Sequence, residues 1–152
     1  MSYETVIGLE VHLQLATNTK AFCKIASGQI PAAKIYEDEI VVAFLDIGPI
    51  SDGHTLVLPR QHFEKVHNCP PELLGQIWTR LGRIAEAVAS ATGADGYNVL
   101  CNNGKAAGQI VDHLHFHIVP RKAGDGVFAK WPSYKYGQGR AEAIAEKIIK
   151  LL

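Results

Sequence analysis

The chain has 152 residues, 47% of them hydrophobic, and its 15 basic side chains balance 15 acidic ones, so the formal net charge is zero. This length suits one globular domain with its own core. The charge balance argues against nucleic acid or an anionic membrane surface as the main partner. Three cysteines are too few and too widely spaced for a disulfide framework: Cys23, Cys69 and Cys101. With no long apolar run and no signal-peptide pattern at its start, the sequence predicts a cytoplasmic protein.

The first half of the chain is predicted to be mainly β-structure. Residues 5–15 end in alternating apolar and polar side chains, which indicates a strand with one buried face. Glycine and proline make the segment 21–31 a turn or an irregular helix at best. Three more strands follow, at 34–36, 40–47 and 54–58. The Gly- and Pro-containing turns between the last two favour an antiparallel meander.

The second half opens with the clearest helix in the sequence. Pro70 and Pro71 suit its first turn, and Gly93 is placed to end it. One apolar stripe recurs at helical spacing: Leu73, Ile77, Leu81, Ile84 and Val88. Two strands at 97–102 and 113–120 and a final helix at 140–152 complete the chain. Locally paired strands, then a helix, then another strand pair imply an α+β fold with an antiparallel sheet.

Three histidines alternate with apolar residues between 113 and 119. Since successive side chains of a strand point to opposite faces, the imidazoles of His113, His115 and His117 would share one face. The apolar residues between them would enter the core: Leu114, Phe116 and Ile118. Such a surface strand could serve in catalysis or phosphate binding. A metal site is the main alternative, because His is the commonest metal ligand, although zinc needs donors that close a tetrahedron.

This stretch resembles the signature of the histidine triad family, in which three histidines alternate with apolar residues. Further blocks match the family in the same order, at 22–31, 36–38, 43–47, 53–57 and 59–62. The resemblance implies a domain over 21–152 with about five antiparallel strands, one long helix and a C-terminal helix. It also implies a homodimer whose sheets join into one, with a purine nucleotide bound to each protomer and cleaved at its α-phosphorus.

The family pattern implies roles for four histidines. His115 would attack phosphorus and give a covalent nucleotidyl-histidine that water hydrolyses. An unperturbed imidazole pKa of about 6.5 leaves much of this side chain neutral near pH 7. His117 and His54 would contact phosphate oxygens, and His113 would orient its neighbours.

The expected nucleotide contacts lie in several segments of the chain. They are Phe22, Ile25, Phe44, Asp46, Ile47, Asn102, Gly108 and Gln109. The carboxylate of Asp46 would accept hydrogen bonds from the ribose hydroxyls; its other interpretation is a turn or capping residue. Gly104 and Gly108 would let backbone N–H groups approach a phosphate, although a loop of this kind is more often just a turn.

Two positions depart from the family pattern. Ile110 stands where many members have a Ser or Thr that can donate a hydrogen bond, so the leaving-group proton must come from a histidine, solvent or the substrate. Lys20 stands where some bacterial members have a zinc-binding Cys, and an ammonium is a poor substitute for a thiolate. The remaining ligands of that zinc site would be Cys23, His62 and His113. We therefore expect no bound zinc, and no cofactor.

Residues 1–20 fall outside the histidine triad pattern. Residues 3–23 instead resemble the opening of the B subunit of the tRNA-dependent aspartyl/glutamyl amidotransferase. A segment this short supplies neither a catalytic centre nor a complete domain, so it cannot bring that activity. We expect an N-terminal extension that adds an edge strand or stays mobile.

Several functions are compatible with these features. The first is a hydrolase that releases nucleoside monophosphate from purine nucleoside phosphoramidates or acyl nucleotides. The second is a dinucleoside polyphosphate hydrolase, and the third is a nucleotide-binding sensor or scaffold without turnover. A metal-binding regulator would carry stoichiometric zinc. The expected partners are a purine nucleotide and a second copy of the chain, with neither nucleic acid nor a membrane.

Overall fold

The computed structural model describes residues 22–25, 29, 31–128 and 132–152. The strand predicted at 5–15, and all but the last two residues of the amidotransferase-like segment, lie outside these ranges. Residues 22–25 form a helical turn. The strands and longer helices are β1 (Lys34–Glu37), β2 (Val41–Leu45), β3 (Thr55–Pro59), α1 (Pro71–Thr92), β4 (Gly96–Leu100), β5 (Phe116–Arg121) and α2 (Arg140–Ile149). Short 3-10 helices cover Val66–Asn68 and Lys105–Ala107.

The strands form one antiparallel sheet in the order β1-β2-β3-β5-β4. The predicted α+β class and the meander of the first three strands are confirmed. Because β5 pairs with β3, Leu56 lies opposite His117. This pairing places the residue just before β3, His54, next to the histidines of the last strand.

Helix α1 covers one face of the sheet, as its apolar stripe predicts. It ends at Gly93, whose left-handed conformation (φ 59°) lets its N–H bond to the carbonyls of Ala89 and Ser90. The buried residues of α1 are Ile77, Leu81, Ile84, Ala85 and Val88. They pack on one core with sheet residues that include Val41, Ala43, Val57, Phe116 and Ile118, and with Leu114 just before the last strand. Along the described chain, no helix combines the length and apolar character needed to cross a membrane.

The opposite face of the sheet carries a smaller apolar cluster. Its buried members are Val42, Phe44, Leu56 and Leu58, with Phe22, Ile25 and Ala32 packed against them. Alternation along β2 and β3 therefore sends side chains to two different cores. The histidines lie on this second face, since His117 is opposite Leu56.

The last strand is shorter than the sequence predicts. It begins at Phe116 instead of His113, because the backbone N–H groups of the preceding residues form hydrogen bonds outside the sheet. His113 N–H donates to the Val111 carbonyl at 2.8 Å, and Leu114 N–H donates to the Phe63 carbonyl at 2.6 Å. The prediction that Leu114, Phe116 and Ile118 enter the core is nevertheless confirmed.

The α1–sheet core predicts a large effect of truncating its central residue. Ile77 is completely buried, so Ile77→Ala should lower the free energy of unfolding by about 2–5 kcal/mol, through lost transfer energy and a residual cavity. Urea denaturation measures this change. The matched variant Gln76→Ala alters an exposed neighbour on the same helix and should stay within about 0.5 kcal/mol of wild type. Equal effects of the two changes would contradict this account of the core.

Candidate nucleotide site

Four histidines meet on the face of the sheet opposite α1. The Nε2 atom of His54 lies 3.0 Å from Nδ1 of His117, and the two rings stack with their centroids 5.2 Å apart. The ring of His115 is 4.9 Å from that of His117, centroid to centroid. Gly53 sets the position of His54, because its φ of +80° suits glycine and a Cβ there would collide with the Thr92 side chain. The structure thus joins His54 to the last-strand histidines; the phosphate contacts expected of His54 and His117 stay predictions.

His115 is held in one tautomer by its own backbone. Its Nδ1 lies 2.6 Å from the carbonyl oxygen of His113. Since a carbonyl only accepts, Nδ1 carries the hydrogen and Nε2 keeps its lone pair. Burial lowers the pKa of His115, against smaller opposing effects of this hydrogen bond and of Asp46. The side chain is therefore neutral near pH 7 and offers a nucleophilic nitrogen.

His54 and His117 form a hydrogen-bonded pair. The Ile50 backbone N–H donates to Nδ1 of His54 at 3.4 Å, which assigns the hydrogen of His54 to Nε2. That group then donates to Nδ1 of His117, leaving His117 with its hydrogen on Nε2. This Nε2 is buried and has no hydrogen-bond partner among the described residues. Buried N–H groups are nearly always paired, so His117 Nε2 is suited to donate to an incoming acceptor.

The pair is neutral at physiological pH. Burial is the main reason that the pKa of His117 falls to about 4, and the nearby His115 and His54 lower it further. Burial also lowers the pKa of His54, although the carboxylate of Asp46 opposes the shift. An Asp46 oxygen lies 3.5 Å from Nδ1 of His54.

Asp46 also stabilises the turn that follows it, since its Oδ1 accepts a hydrogen bond from the Gly48 N–H at 3.0 Å. The turn role considered from the sequence is therefore present. It does not exclude ribose binding, because a carboxylate has further acceptor positions. Ile47, the next residue, is exposed.

An apolar wall borders the histidines. The Phe22 ring meets Phe44 edge-on at 5.9 Å and His115 at 5.3 Å between centroids. Ile25 packs in the same cluster. The structure thus brings together three of the residues predicted to contact the nucleotide, and places them beside the predicted nucleophile.

The side chain of Gln109 stabilises the loop before the histidines through hydrogen bonds to its backbone and to a neighbouring segment. Its Oε1 accepts from the Gly104 N–H at 2.6 Å, while its Nε2 donates to the carbonyls of Glu64 at 2.7 Å and Val111 at 3.1 Å. Asn102 Nδ2 donates to the Gly108 carbonyl at 3.4 Å. The nucleotide contacts expected of Asn102, Gly108 and Gln109 stay predictions, and for Gln109 the structure shows a side chain engaged with the loop itself.

The sequence did not predict the role of Asn103, whose side chain also stabilises this loop through hydrogen bonds. Its Oδ1 accepts from the Val66 N–H at 2.8 Å, and its Nδ2 donates to the Cys101 carbonyl at 3.2 Å. The available signal was the Asn103-Gly104 pair, a combination typical of turns.

The side chain of His113 is not exposed on a surface strand, contrary to the expectation from the sequence. It is completely buried, and its Nε2 donates to the Pro59 carbonyl at 2.9 Å. It orients His115 through its backbone carbonyl. Its Nδ1 lies 3.5 Å from the Cys23 sulfur and 3.4 Å from Nδ1 of His62.

Cys23, His62 and His113 could hold a metal ion. Their donor atoms all lie within 4.8 Å of one another. Three donors leave one position of a zinc tetrahedron to be filled. The residue expected at the fourth position, Lys20, lies outside the described residues.

The fold and the histidine cluster agree with comparisons to known proteins. Residues 27–124 match the HIT domain family model. A HIT-like protein of Methanocaldococcus jannaschii is 48% identical over 114 residues, which cover 75% of this chain and 88% of the relative. An adenosine 5'-monophosphoramidase of Schizosaccharomyces pombe is 41% identical over 128 residues, covering 84% of this chain and 93% of the relative.

Solved structures also show similarity to the HIT family. The crystal structure of a HIT family member from Bacillus subtilis superposes with a TM-score of 0.79 at 43% identity, covering 86% of this chain and 95% of that one. This chain belongs to the HIT domain family, as the histidine pattern indicates.

The expected absence of zinc can be tested by restoring the missing thiol. Elemental analysis of the purified protein should find much less than one zinc per chain, because Lys20 offers no thiolate. Lys20→Cys should bind about one zinc per chain through four N and S ligands. Lys24→Cys is the control, since Lys24 is exposed on the turn next to Cys23. Stoichiometric zinc in the unaltered protein would contradict the expectation.

The depressed pKa of His117 predicts acid destabilisation. Below pH 6.5 the unfolded chain protonates this residue, whereas the folded chain does so only near pH 4. Stability is therefore lost as pH falls from 7 to 5, by up to about 2 kcal/mol for this one group. Urea denaturation at both pH values should show a smaller pH dependence in His117→Gln. His67→Gln, at an exposed histidine, should keep the wild-type dependence, and indistinguishable variants would refute the assignment.

Proposed function

We propose that this protein hydrolyses purine nucleoside phosphoramidates or acyl nucleotides at the α-phosphorus, through a nucleotidyl-histidine on His115, and releases the nucleoside monophosphate. The observation that carries the proposal is the 2.6 Å hydrogen bond from His115 Nδ1 to the His113 carbonyl. It fixes the tautomer with the lone pair on Nε2, and burial keeps the ring neutral; a nucleophile requires both.

The known relatives support the general class of this activity. The chain is a member of the HIT domain family, and its S. pombe relative carries the name of a monophosphoramidase. An enzyme of the HIT hydrolase class is therefore the general part of the proposal. The purine base, the α-phosphorus and the covalent intermediate are its finer parts.

The first step transfers the nucleotidyl group to the enzyme. Nε2 of His115 forms a bond to phosphorus as the bond to the leaving amine or acyl oxygen breaks. His117 Nε2–H, buried and without a partner among the described residues, would donate to a phosphate oxygen. Donors placed before the reaction stabilise the charge of the transition state at no cost in reorganisation.

The leaving amine needs a proton in this step. The side chain of Ile110 is 81% exposed and carries no donor, so it cannot replace the hydroxyl that the family pattern has at this position. Bound phosphate brings negative charge that raises the pKa of the His54–His117 pair. The pair would then take a proton from solvent and pass it to the leaving group. In the second step water attacks phosphorus as the bond from phosphorus to His115 Nε2 breaks. The His54–His117 pair, neutral again after the first step, would accept the proton of that water, and His115 leaves as neutral imidazole.

The nucleotide would lie against the apolar wall. Phe22, Ile25 and Phe44 would contact the base, and Asp46 with Ile47 would lie at the ribose. Asn102 and the backbone at Gly108 and Gln109 would contact the phosphate side. Positive φ values at Gly104 and Gly108 (90° and 84°) support a loop whose backbone can approach an anion closely.

The same proposal includes the domain bounds, the cellular location and the oligomeric state. The catalytic domain would extend over 21–152, with 1–20 as an extension, and the protein would act in the cytoplasm without a cofactor. A homodimer with a continuous sheet would join one of the two edge strands, β1 or β4, to its counterpart in a second copy.

Brief mixing with an amine phosphoramidate of AMP, followed by acid quench and mass spectrometry, tests the proposal. Wild type should carry an adenylyl group on the peptide containing His115 and release AMP. His115→Ala and His115→Gln should lose at least about 1,000-fold in kcat, because the covalent route is closed. His67→Ala should keep wild-type activity.

The other functions give different results in this assay. Turnover of dinucleoside polyphosphates with none of phosphoramidates would assign the second hydrolase activity instead. Nucleotide binding without release of monophosphate from either substrate would make the protein a sensor and overturn the enzyme proposal.

A further inference from the structure

The side chain of Gln109 is buried, and all of its polar atoms are hydrogen-bonded to the backbone. Only 3% of this residue is exposed. Its Oε1 accepts from the Gly104 N–H at 2.6 Å, and its Nε2 donates to the carbonyls of Glu64 at 2.7 Å and Val111 at 3.1 Å. These bonds offset the cost of removing a primary amide from water.

Two of the three bonds reach the bend that precedes β5. The Val111 carbonyl also accepts from the His113 N–H at 2.8 Å, so both of its lone pairs are occupied. Glu64 directly follows Phe63, whose carbonyl accepts from the Leu114 N–H at 2.6 Å. The amide of Gln109 thus connects the two backbone segments that turn the chain at this bend.

The bend also carries the acceptor that orients His115. The His113 carbonyl and the Leu114 N–H belong to one peptide unit. Because a peptide unit is planar, the hydrogen bond from Leu114 to Phe63 fixes the direction of the His113 carbonyl. That carbonyl accepts from Nδ1 of His115 at 2.6 Å. A shift of the segment 63–64 would therefore turn the acceptor away from the imidazole.

We propose that Gln109 is a positioning residue for His115. Its side-chain amide holds the backbone at Glu64 and Val111, and this keeps the His113 carbonyl directed at Nδ1 of His115. The side chain of Gln109 acts through these backbone groups and not on the reacting atoms. Its effect on the tautomer of His115 is independent of the proposed hydrolysis, whereas its effect on the reaction rate rests on that proposal.

The position requires a primary amide of this length. Two carbonyl oxygens need two donated hydrogens, and the Gly104 N–H needs an acceptor. Among side chains, only those of Asn and Gln provide all three. A glutamate would place a carboxylate against both carbonyls, and an asparagine is one methylene shorter, so it would lose at least one of the three bonds.

Asn103 offers a matched comparison within the same loop. Its Oδ1 accepts from the Val66 N–H at 2.8 Å, and its Nδ2 donates to the Cys101 carbonyl at 3.2 Å. These partners lie outside the bend. Loss of the Asn103 side chain should therefore lower the stability of the protein without turning the His113 carbonyl.

The imidazole ¹⁵N chemical shifts of His115 test the positioning role in the full-length, nucleotide-free protein, because they distinguish a protonated from an unprotonated ring nitrogen. Wild type should carry its hydrogen on Nδ1. Gln109→Met should move the two ring-nitrogen resonances toward each other as the tautomers exchange, and Gln109→Asn should move them in the same direction. Asn103→Ala and Gln76→Met, the same change at an exposed glutamine, should keep the wild-type shifts.

Unmoved His115 resonances in folded Gln109→Met would overturn the proposal, and Gln109→Asn decides the question if the first variant does not fold. Equal shifts in Asn103→Ala would also overturn it, because the effect would then come from any loosening of the loop.

Turnover of an amine phosphoramidate of AMP gives a second readout. Gln109→Met should lower kcat about tenfold, because both the tautomer and the orientation of the nucleophile are loosened, and should change KM less than about threefold. Gln76→Met should keep both constants. A wild-type kcat in Gln109→Met would refute the positioning role. A changed tautomer together with no turnover by wild type would instead refute the proposed hydrolysis and leave the positioning role intact.

Discussion

The hydrogen bond between His115 Nδ1 and the His113 carbonyl determines the chemistry of the site. It places the hydrogen on one ring nitrogen and the lone pair on the other. Without a fixed acceptor at Nδ1, the imidazole would exchange between tautomers, and only one of them has a nucleophilic Nε2. Burial removes the third state, the imidazolium, at neutral pH. The same short backbone segment thus provides both the proposed nucleophile and the group that orients it.

This hydrogen bond depends on a segment that has left the sheet. Two backbone hydrogen bonds, from His113 to Val111 and from Leu114 to Phe63, turn the chain before β5 begins. In a regular strand, the carbonyl of residue 113 would point along the hydrogen-bonding direction of the ladder. The bend instead makes it available to a side chain two residues later. Leu114 and Phe116 remain anchored in the core on α1, so packing of the apolar residues holds the bend in place.

The sequence predicted the elements well because their signals are local. The spacing of Ile77, Leu81 and Val88 specifies a helix face, and Gly93 specifies where that helix ends. The beginning of β5 could not be predicted in the same way, since His113 has the alternation of a strand and its departure from the sheet depends on Phe63, far away in sequence. The burial of His113 was missed for the same reason. Alternation gives the face on which a side chain lies, but not what covers that face.

Four imidazoles in one buried cluster are stable only while they are neutral. Each protonation would place a positive charge in a poorly solvated site beside another ring that can also take one, and for this reason the pKa of both His113 and His117 falls to about 4. A bound phosphate, as proposed, would reverse this balance, because its negative charge favours the protonated form of the nearest histidines. In the proposed mechanism His115 stays neutral and attacks phosphorus, whereas the His54–His117 pair would gain the proton that the leaving group needs. Under this proposal, one cluster of histidines would meet the two opposite requirements of the reaction because the substrate supplies the negative charge.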